Sequence, residues 1–376
     1  MKYLIWLQSV LNVGNNRAKD ILKHFGSAEN IYKADYKEIL SSGLFKKSEL
    51  ERIKDKDLTY SLEIIEDCKN NGIEIIPFGS SKYPYCLSVI EDAPLILYVK
   101  GNMPDFDKTP TISIVGPRKI SDFGKKAAFS LSFRLAKSGF CIVSGGAVGG
   151  DTYAHAGAIK AKGKTVIVLG CGILNDYLPQ NKALRKEVAI NGALISEFPP
   201  RADATKFTFP IRIRIVSALS LGTVVIEASS KSGALITARH AAEQGRDVFV
   251  IPGQPDKKEY IGSNALLRDG AKPILDVSDI FGEYILRFPD KINIENAFKD
   301  PILDDREKTD KKIEKNLPEG LSKEAKIVYN YLDKQKFLPE DVLGCGIETD
   351  SIISALTELE MEMLIKAIPG GMYEKL

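Results

Sequence analysis

Residues 111–151 contain two short apolar runs, Thr111-Ile112-Ser113-Ile114-Val115 and Cys141-Ile142-Val143, and each breaks into small and polar residues. The first continues as Gly116-Pro117-Arg118-Lys119, the second as Ser144-Gly145-Gly146-Ala147-Val148-Gly149-Gly150-Asp151. Downstream, Val224-Val225-Ile226 leads in the same way into Ser229-Ser230-Lys231-Ser232-Gly233. A strand that ends in small residues and opens into a helix directs backbone N–H groups and the positive end of a helix dipole at one place, which suits a phosphate. Three such turns imply several phosphates or one large anionic ligand.

Outward from these turns, apolar runs recur at 111–115, 140–143, 165–169, 193–197, 223–227, 247–251 and 273–277, with helical stretches between most of them. Continuous rather than alternating hydrophobicity means strands covered on both faces, as in a parallel sheet. Strands alternating with helices predict an α/β, Rossmann-like, doubly wound and mostly parallel sheet with right-handed crossovers. Ligands of such sheets bind outside the strands' carboxyl ends, where the three turns converge.

The flanks read differently. Residues 1–72 are predicted as short helices, with Val13-Gly14-Asn15-Asn16-Arg17-Ala18-Lys19 as a turn between the first two. That is the arrangement of a helix-hairpin-helix domain that grips a nucleic-acid phosphate; a plain helical module using Gly and Asn to turn is the other reading. Residues 73–283 form the α/β core, with 73–110 as a proline-bounded lead-in containing two strands. Residues 284–318 are dominated by charged side chains and predict a solvated linker. Residues 319–376 resume helical spacing and end in a hairpin around Gly370-Gly371, which predicts a small winged-helix domain.

The 376 residues carry 52 basic and 50 acidic side chains, a formal charge of +2, so any nucleic-acid site must be a local patch. Five cysteines without a C-x-x-C pair predict a reduced, cytoplasmic chain with no metal site. No signal peptide is recognisable at the N-terminus, and no apolar run approaches the roughly 18 to 20 residues of a membrane span.

Chemical motifs are mostly excluded. The first turn contains no G-x-G-x-x-G and the chain no G-x-x-x-x-G-K-[ST], so neither a nicotinamide cofactor nor P-loop chemistry is expected. Asp151 and His155 stand at i and i+4 without a third metal ligand, and read as a cap and a structural hydrogen bond. Ser144 and Ser232 lack a G-x-S-x-G elbow and are no nucleophiles. The basic residues fit better: Arg118, Lys119, Arg212, Arg214 and Lys231 can track a phosphodiester strand together with the backbone turns. Phe207 and Phe209 are candidates for stacking on unpaired bases, or equally for plugging the core's edge.

A long ordered series of motifs carries a family resemblance. Ser144-Gly145, Asp151, His155, Ser196-Glu197-Phe198-Pro199, Phe209-Pro210, Arg212, Arg214-Ile215, Glu227-Ala228, Ser232-Gly233-Ala234-Leu235-Ile236-Thr237-Ala238, Ala242-Glu243-Gln244-Gly245-Arg246 and Pro252-Gly253 closely resemble the DNA processing protein A (DprA, or Smf) family. The resemblance covers nearly the whole chain. It implies a bacterial cytoplasmic protein, not an enzyme and without cofactor. Such a protein binds single-stranded DNA, protects it during natural transformation, helps load the RecA recombinase and dimerises through its Rossmann-like domain.

Carried onto this sequence, the resemblance puts binding positions at Gly116, Arg118, Lys119, Ser144, Gly145, Gly149, Asp151, Arg212, Arg214, Lys231, Ser232 and Gly233. The chain departs from the family's pattern at Pro117, which removes a hydroxyl and a backbone N–H from the first turn, at Val148, commonly basic, and at Gly146, Gly150 and Ile213. The rival expectation from another class is a nucleotide-processing enzyme of the related phosphoribohydrolase group. That group's P-G-G-x-G-T turn is missing, since Ala228-Ser229-Ser230-Lys231 follows Glu227.

Overall fold

The computed structural model describes residues 1–298, 321–332, 336–362, 364–368 and 371–375. They fall into two compact units divided at Leu303 and Asp304.

The first unit is built on a nine-stranded sheet. Its strands are β1 (Glu74–Pro77), β2 (Ile96–Gly101), β3 (Thr111–Val115), β4 (Cys141–Ser144), β5 (Thr165–Leu169), β6 (Ala193–Ser196), β7 (Gly222–Val225), β8 (Asp247–Val250) and β9 (Lys272–Pro273), in the order β1-β2-β6-β5-β4-β3-β7-β8-β9. From β6 to β9 every pairing is parallel, while β1 and β2 add an antiparallel edge. The fold class is therefore the expected α/β architecture with a mostly parallel central sheet. Six of the seven apolar runs yield strands of four or five residues; the run at 273–277 gives only Pro273, the second residue of β9.

β3 pairs with β4 on one side and with β7 on the other, so the crossovers turn opposite ways here and open a crevice at the carboxyl ends. Both sheet faces are covered, as the unbroken Ile and Val runs require. Ile112, Ile114, Ile142, Val224 and Phe249 pack under the helices Asp122–Lys137 and Gly150–Lys160. Val115, Val143, Val168 and Val225 pack under Thr208–Ala218 and Gly233–Glu243. The first helix pair crosses closely at Gly157, where a Cβ would lie 2.3 Å from the Phe129 carbonyl oxygen.

The helices between Lys2 and Asn70 belong to this same unit. Ile5, Trp6, Leu7 and Ile21 share a core with Tyr98, Ile167 and Leu194 of the sheet, each side chain contributing about 1.5–3 kcal/mol by burial. The turn at Gly14 makes that contact, which favours the plain helical module of the two readings. Gly14 N–H donates to Glu197 Oε1 at 3.2 Å, Arg17 pairs with Glu49 at 2.5 Å, and Lys19 donates to the Ile90 carbonyl.

The start of the expected linker is also corrected. Phe288, Ile292 and Ala297 are buried against the helix Asp122–Lys137, so the packed unit runs on past 284. Residues 299–318 of that stretch lie outside the described residues.

The second unit contains the helices Lys323–Tyr331 and Thr349–Met361 and a sheet of β10 (Lys336–Phe337), β12 (Met372–Lys375) and β11 (Ile365–Ile368) in that order, all antiparallel. Val328, Phe337, Ile352, Leu356 and Ile365 form its core. Ser322 caps the first helix and donates to Glu358 of the second. Gly370 of the hairpin turn lies outside the described residues.

Candidate functional site

The first two turns lock together backbone to backbone. Gly150 N–H donates to the Pro117 carbonyl at 3.1 Å, and a Cβ on Gly150 would sit 2.7 Å from Gly116 Cα. Gly149 has φ 90°, and a Cβ there would lie 2.3 Å from the Pro117 oxygen. The proline that cannot donate is thus used as an acceptor, and the glycine beside Asp151 makes room for it.

Two of the three phosphate-facing turns already hold a carboxylate. Asp151 Oδ2 accepts from Gly145 N–H and Ala147 N–H, both at 3.1 Å. Burial pushes the Asp151 carboxyl up, against the pull of Arg212. Glu227, fully buried, accepts from Ser121 N–H at 2.6 Å and from its hydroxyl at 2.9 Å, closing the start of the helix Asp122–Lys137. Ser144 is buried and donates to the Ile114 carbonyl at 2.7 Å, so its hydroxyl is withdrawn from the surface. In the third turn Ser232 caps Ala234 N–H at 3.3 Å, with Lys231 and Gly233 exposed around it.

The arginines separate. Arg118 and Lys119 are exposed on the first turn. Arg212 is 8% exposed; its Nη1 donates to the Val168 carbonyl at 3.1 Å, and it passes so close over Gly145 that a Cβ there would lie 1.4 Å from Nη1. Arg214, two residues on, faces the other way, as i and i+2 do on a helix. It forms ion pairs with Glu197 and Asp92, both at 2.8 Å, and is 3% exposed. Its expected contact with DNA is corrected to a structural clamp: burial pushes Glu197 up, and Arg214 opposes this.

The phenylalanines divide likewise. Phe207 is 70% exposed, with the Lys206 ammonium 5.1 Å from its ring centre. Phe209 packs on Tyr177, ring centres 5.0 Å apart, with the Arg118 guanidinium 5.7 Å from its own. A narrow cleft lies between Arg118, Arg212 and the rings of Phe209 and Tyr177, and it is lined also by Asn181 and Arg185, which the sequence had not singled out. Arg185 sits between Lys182 and Lys186 on one helix, and only the fold distinguishes it from these exposed neighbours.

His155 is buried with Nδ1 2.7 Å from Thr165 Oγ1, whose hydroxyl donates to the Ile142 carbonyl. Nδ1 is therefore the donor, and burial holds this imidazole neutral by lowering its pKa to about 3. Among the described residues no group of three or more His, Cys, Asp and Glu is placed to hold a metal, and no helix is long and apolar enough to cross a membrane.

A sequence profile described as DNA recombination-mediator protein A matches residues 74–285, the stretch that contains all three turns and Arg212. The chain belongs to that family. DNA processing protein DprA of Bacillus subtilis is 41% identical over 215 residues, 57% of this chain and 72% of the relative. Protein Smf of Escherichia coli is 34% identical over 306 residues, covering 79% and 76%. The X-ray structure of DNA processing protein A from Streptococcus pneumoniae superposes with a TM-score of 0.66 at 31% identity, covering 75% of this chain and 98% of that one. The Helicobacter pylori protein, whose structure is described for its unique single-stranded DNA binding mode, gives 0.52 at 28% identity, covering 58% and 98%.

Proposed function

We propose that the chain binds single-stranded DNA, as the Helicobacter pylori relative is described to do, and that the strand lies across the carboxyl ends of β3, β4 and β7. The observation that carries this is the convergence of exposed Arg118 and Lys119 with buried Arg212 over the backbone of Gly145, next to the ring of Tyr177. Gly116, Gly149, Lys231, Ser232 and Gly233 give the strand a close backbone approach and a further cation, and exposed Phe207 offers a face to a base. Asp151 serves by holding the second turn in shape.

In the cell this binding protects incoming strands and helps place the RecA recombinase on them, in the cytoplasm and as a homodimer through the sheet unit. The first 72 residues act as a helix-hairpin-helix or SAM-like layer, and 319–376 as a winged helix. The helix Thr349–Met361 carries Asp350, Glu358 and Glu360 and no basic residue, which suits a protein partner better than a DNA groove. No catalysis is proposed: Glu227, the acid nearest the third turn in sequence, is spent on Ser121.

Anisotropy titrations with single- and double-stranded oligonucleotides over a range of salt test the reading. Affinity for single strands that falls steeply with salt is expected. Absence of binding at low salt, or turnover of nucleoside monophosphates, overturns it.

A further inference from the structure

The cleft beside the turns holds more positive charge than its own carboxylates balance. Arg185 and Arg212 reach it from two different helices, each 8% exposed, and Arg118 stands at its edge. Arg185 donates Nη1 to the Asn175 carbonyl at 3.1 Å and has no ion pair among the described residues. Arg212 keeps its bond to Val168, but its buried Nε meets no acceptor. A guanidinium taken out of water without a counter-anion is costly, and five donors per arginine exceed what these carbonyls accept.

Asp151 is the carboxylate that acts on Arg212, and its Oδ2 is already shared by two backbone N–H groups. Asp176 acts on Arg185 but is itself paired with Lys182 at 2.9 Å, so Arg118, Arg185, Arg212 and Lys182 stand against Asp151 and Asp176, a surplus of two positive charges (4 − 2 = 2) around the cleft. A phosphate linkage inside a strand carries one negative charge, whereas a phosphomonoester carries about −1.5 to −2 near neutrality and presents three strong acceptors. The ring of Tyr177 supplies a wall for what is attached to it, while the Asn181 amide, bonded to the Gly146 carbonyl and to Thr152, holds the second turn against the cleft.

We propose that this cleft takes a phosphomonoester between Arg185 and Arg212, either the terminal phosphate of a DNA strand or the same group on a free nucleoside monophosphate. For a strand, this rests on the DNA-binding reading and adds recognition of the end to it. Arg185 is then a binding residue, and the planar forks of the two arginines grip the three oxygens.

The test uses the full chain and one internally labelled oligonucleotide in three forms: 5′-phosphate, 3′-phosphate, and hydroxyl at both ends. One phosphorylated form is expected to bind about tenfold or more tighter than the hydroxyl form. Arg185→Gln should abolish that difference, whatever it does to the affinity for the hydroxyl form. Three forms that bind alike in the wild-type chain overturn the proposal while leaving DNA binding intact, and this comparison does not depend on the variant folding. A preference that survives in folded Arg185→Gln overturns it too. If no form binds, DNA binding fails instead, and a thermal shift with dAMP set against deoxyadenosine decides for the free nucleotide: a rise with dAMP alone supports the site, and equal responses overturn it.

Discussion

Replacing Gly145 by alanine drives a methyl group into the Arg212 guanidinium. The added carbon would lie 1.4 Å from Nη1 and 2.3 Å from Cζ, where a normal contact needs about 3.5 Å, so the guanidinium has to move by roughly 2 Å. That displacement breaks the 3.1 Å bond to the Val168 carbonyl, a loss of about 1.5–3 kcal/mol for a charged donor. It also takes the positive charge away from buried Asp151, and parting a buried pair costs about 3–5 kcal/mol in all. In an Arg212→Ala background nothing is struck, and the same Gly145→Ala change should shift stability by no more than about 0.5 kcal/mol. The two changes are therefore coupled by about 2.5–4.5 kcal/mol, the difference between the two costs. Urea unfolding reads this through Trp6, the single tryptophan, which is buried in the same unit. Equal costs for Gly145→Ala in both backgrounds would refute the placement of Arg212 over Gly145.

Arg118→Ala should weaken single-strand binding and flatten the slope of log K against log salt by about 0.7. Arg214→Ala should leave that slope alone and cost about 3–5 kcal/mol, because Glu197 stays buried without its partner. Gly14→Ala forces a side chain into φ 77° and against Ile211, 2.9 Å away, with an expected loss of about 1–3 kcal/mol in the same Trp6 assay. For His155 the folded pKa, about 3, lies below the unfolded 6.5; the stability its neutral form contributes is present above pH 6.5 and drains away as pH falls toward 3. Between pH 7 and 5 that is about 2 kcal/mol, and Asp151 and Glu197, both raised, act with the opposite sign. The stability advantage of the wild type over His155→Gln should therefore shrink by about 2 kcal/mol across that range; an unchanged gap in urea midpoints would exclude a buried neutral imidazole.

The sheet was legible because Ile112–Val115, Cys141–Val143 and Thr165–Leu169 are apolar on both faces, a property local to each run. The crossover between β3 and β7 was not, since pairing order depends on contacts between distant runs. Within the site, sequence exposes residue type and spacing but not rotation about a helix, so Arg212 and Arg214 looked alike although one meets Gly145 and the other Glu197. The turns looked open to phosphate for a related reason: the carboxylate that closes the helix after the first turn comes from Glu227, 106 positions away from Ser121. Phe288 and Ile292 were hidden in a charged stretch because three or four anchors suffice to pin it.

The clamp at Glu197 sets an order on the making of the protein. Gln8 Nε2 donates to the Glu197 carbonyl across 189 positions, and Gly14 reaches the same residue's carboxylate across 183. At the roughly 5–20 residues per second of synthesis, the first helices wait about 10 to 40 s for that partner to leave the ribosome. Arg214, which neutralises it, follows 17 positions later still. The amino-terminal layer is thus first to emerge and among the last to be completed, and a chain interrupted before β6 leaves Gln8 and the turn at Gly14 without the group that holds them.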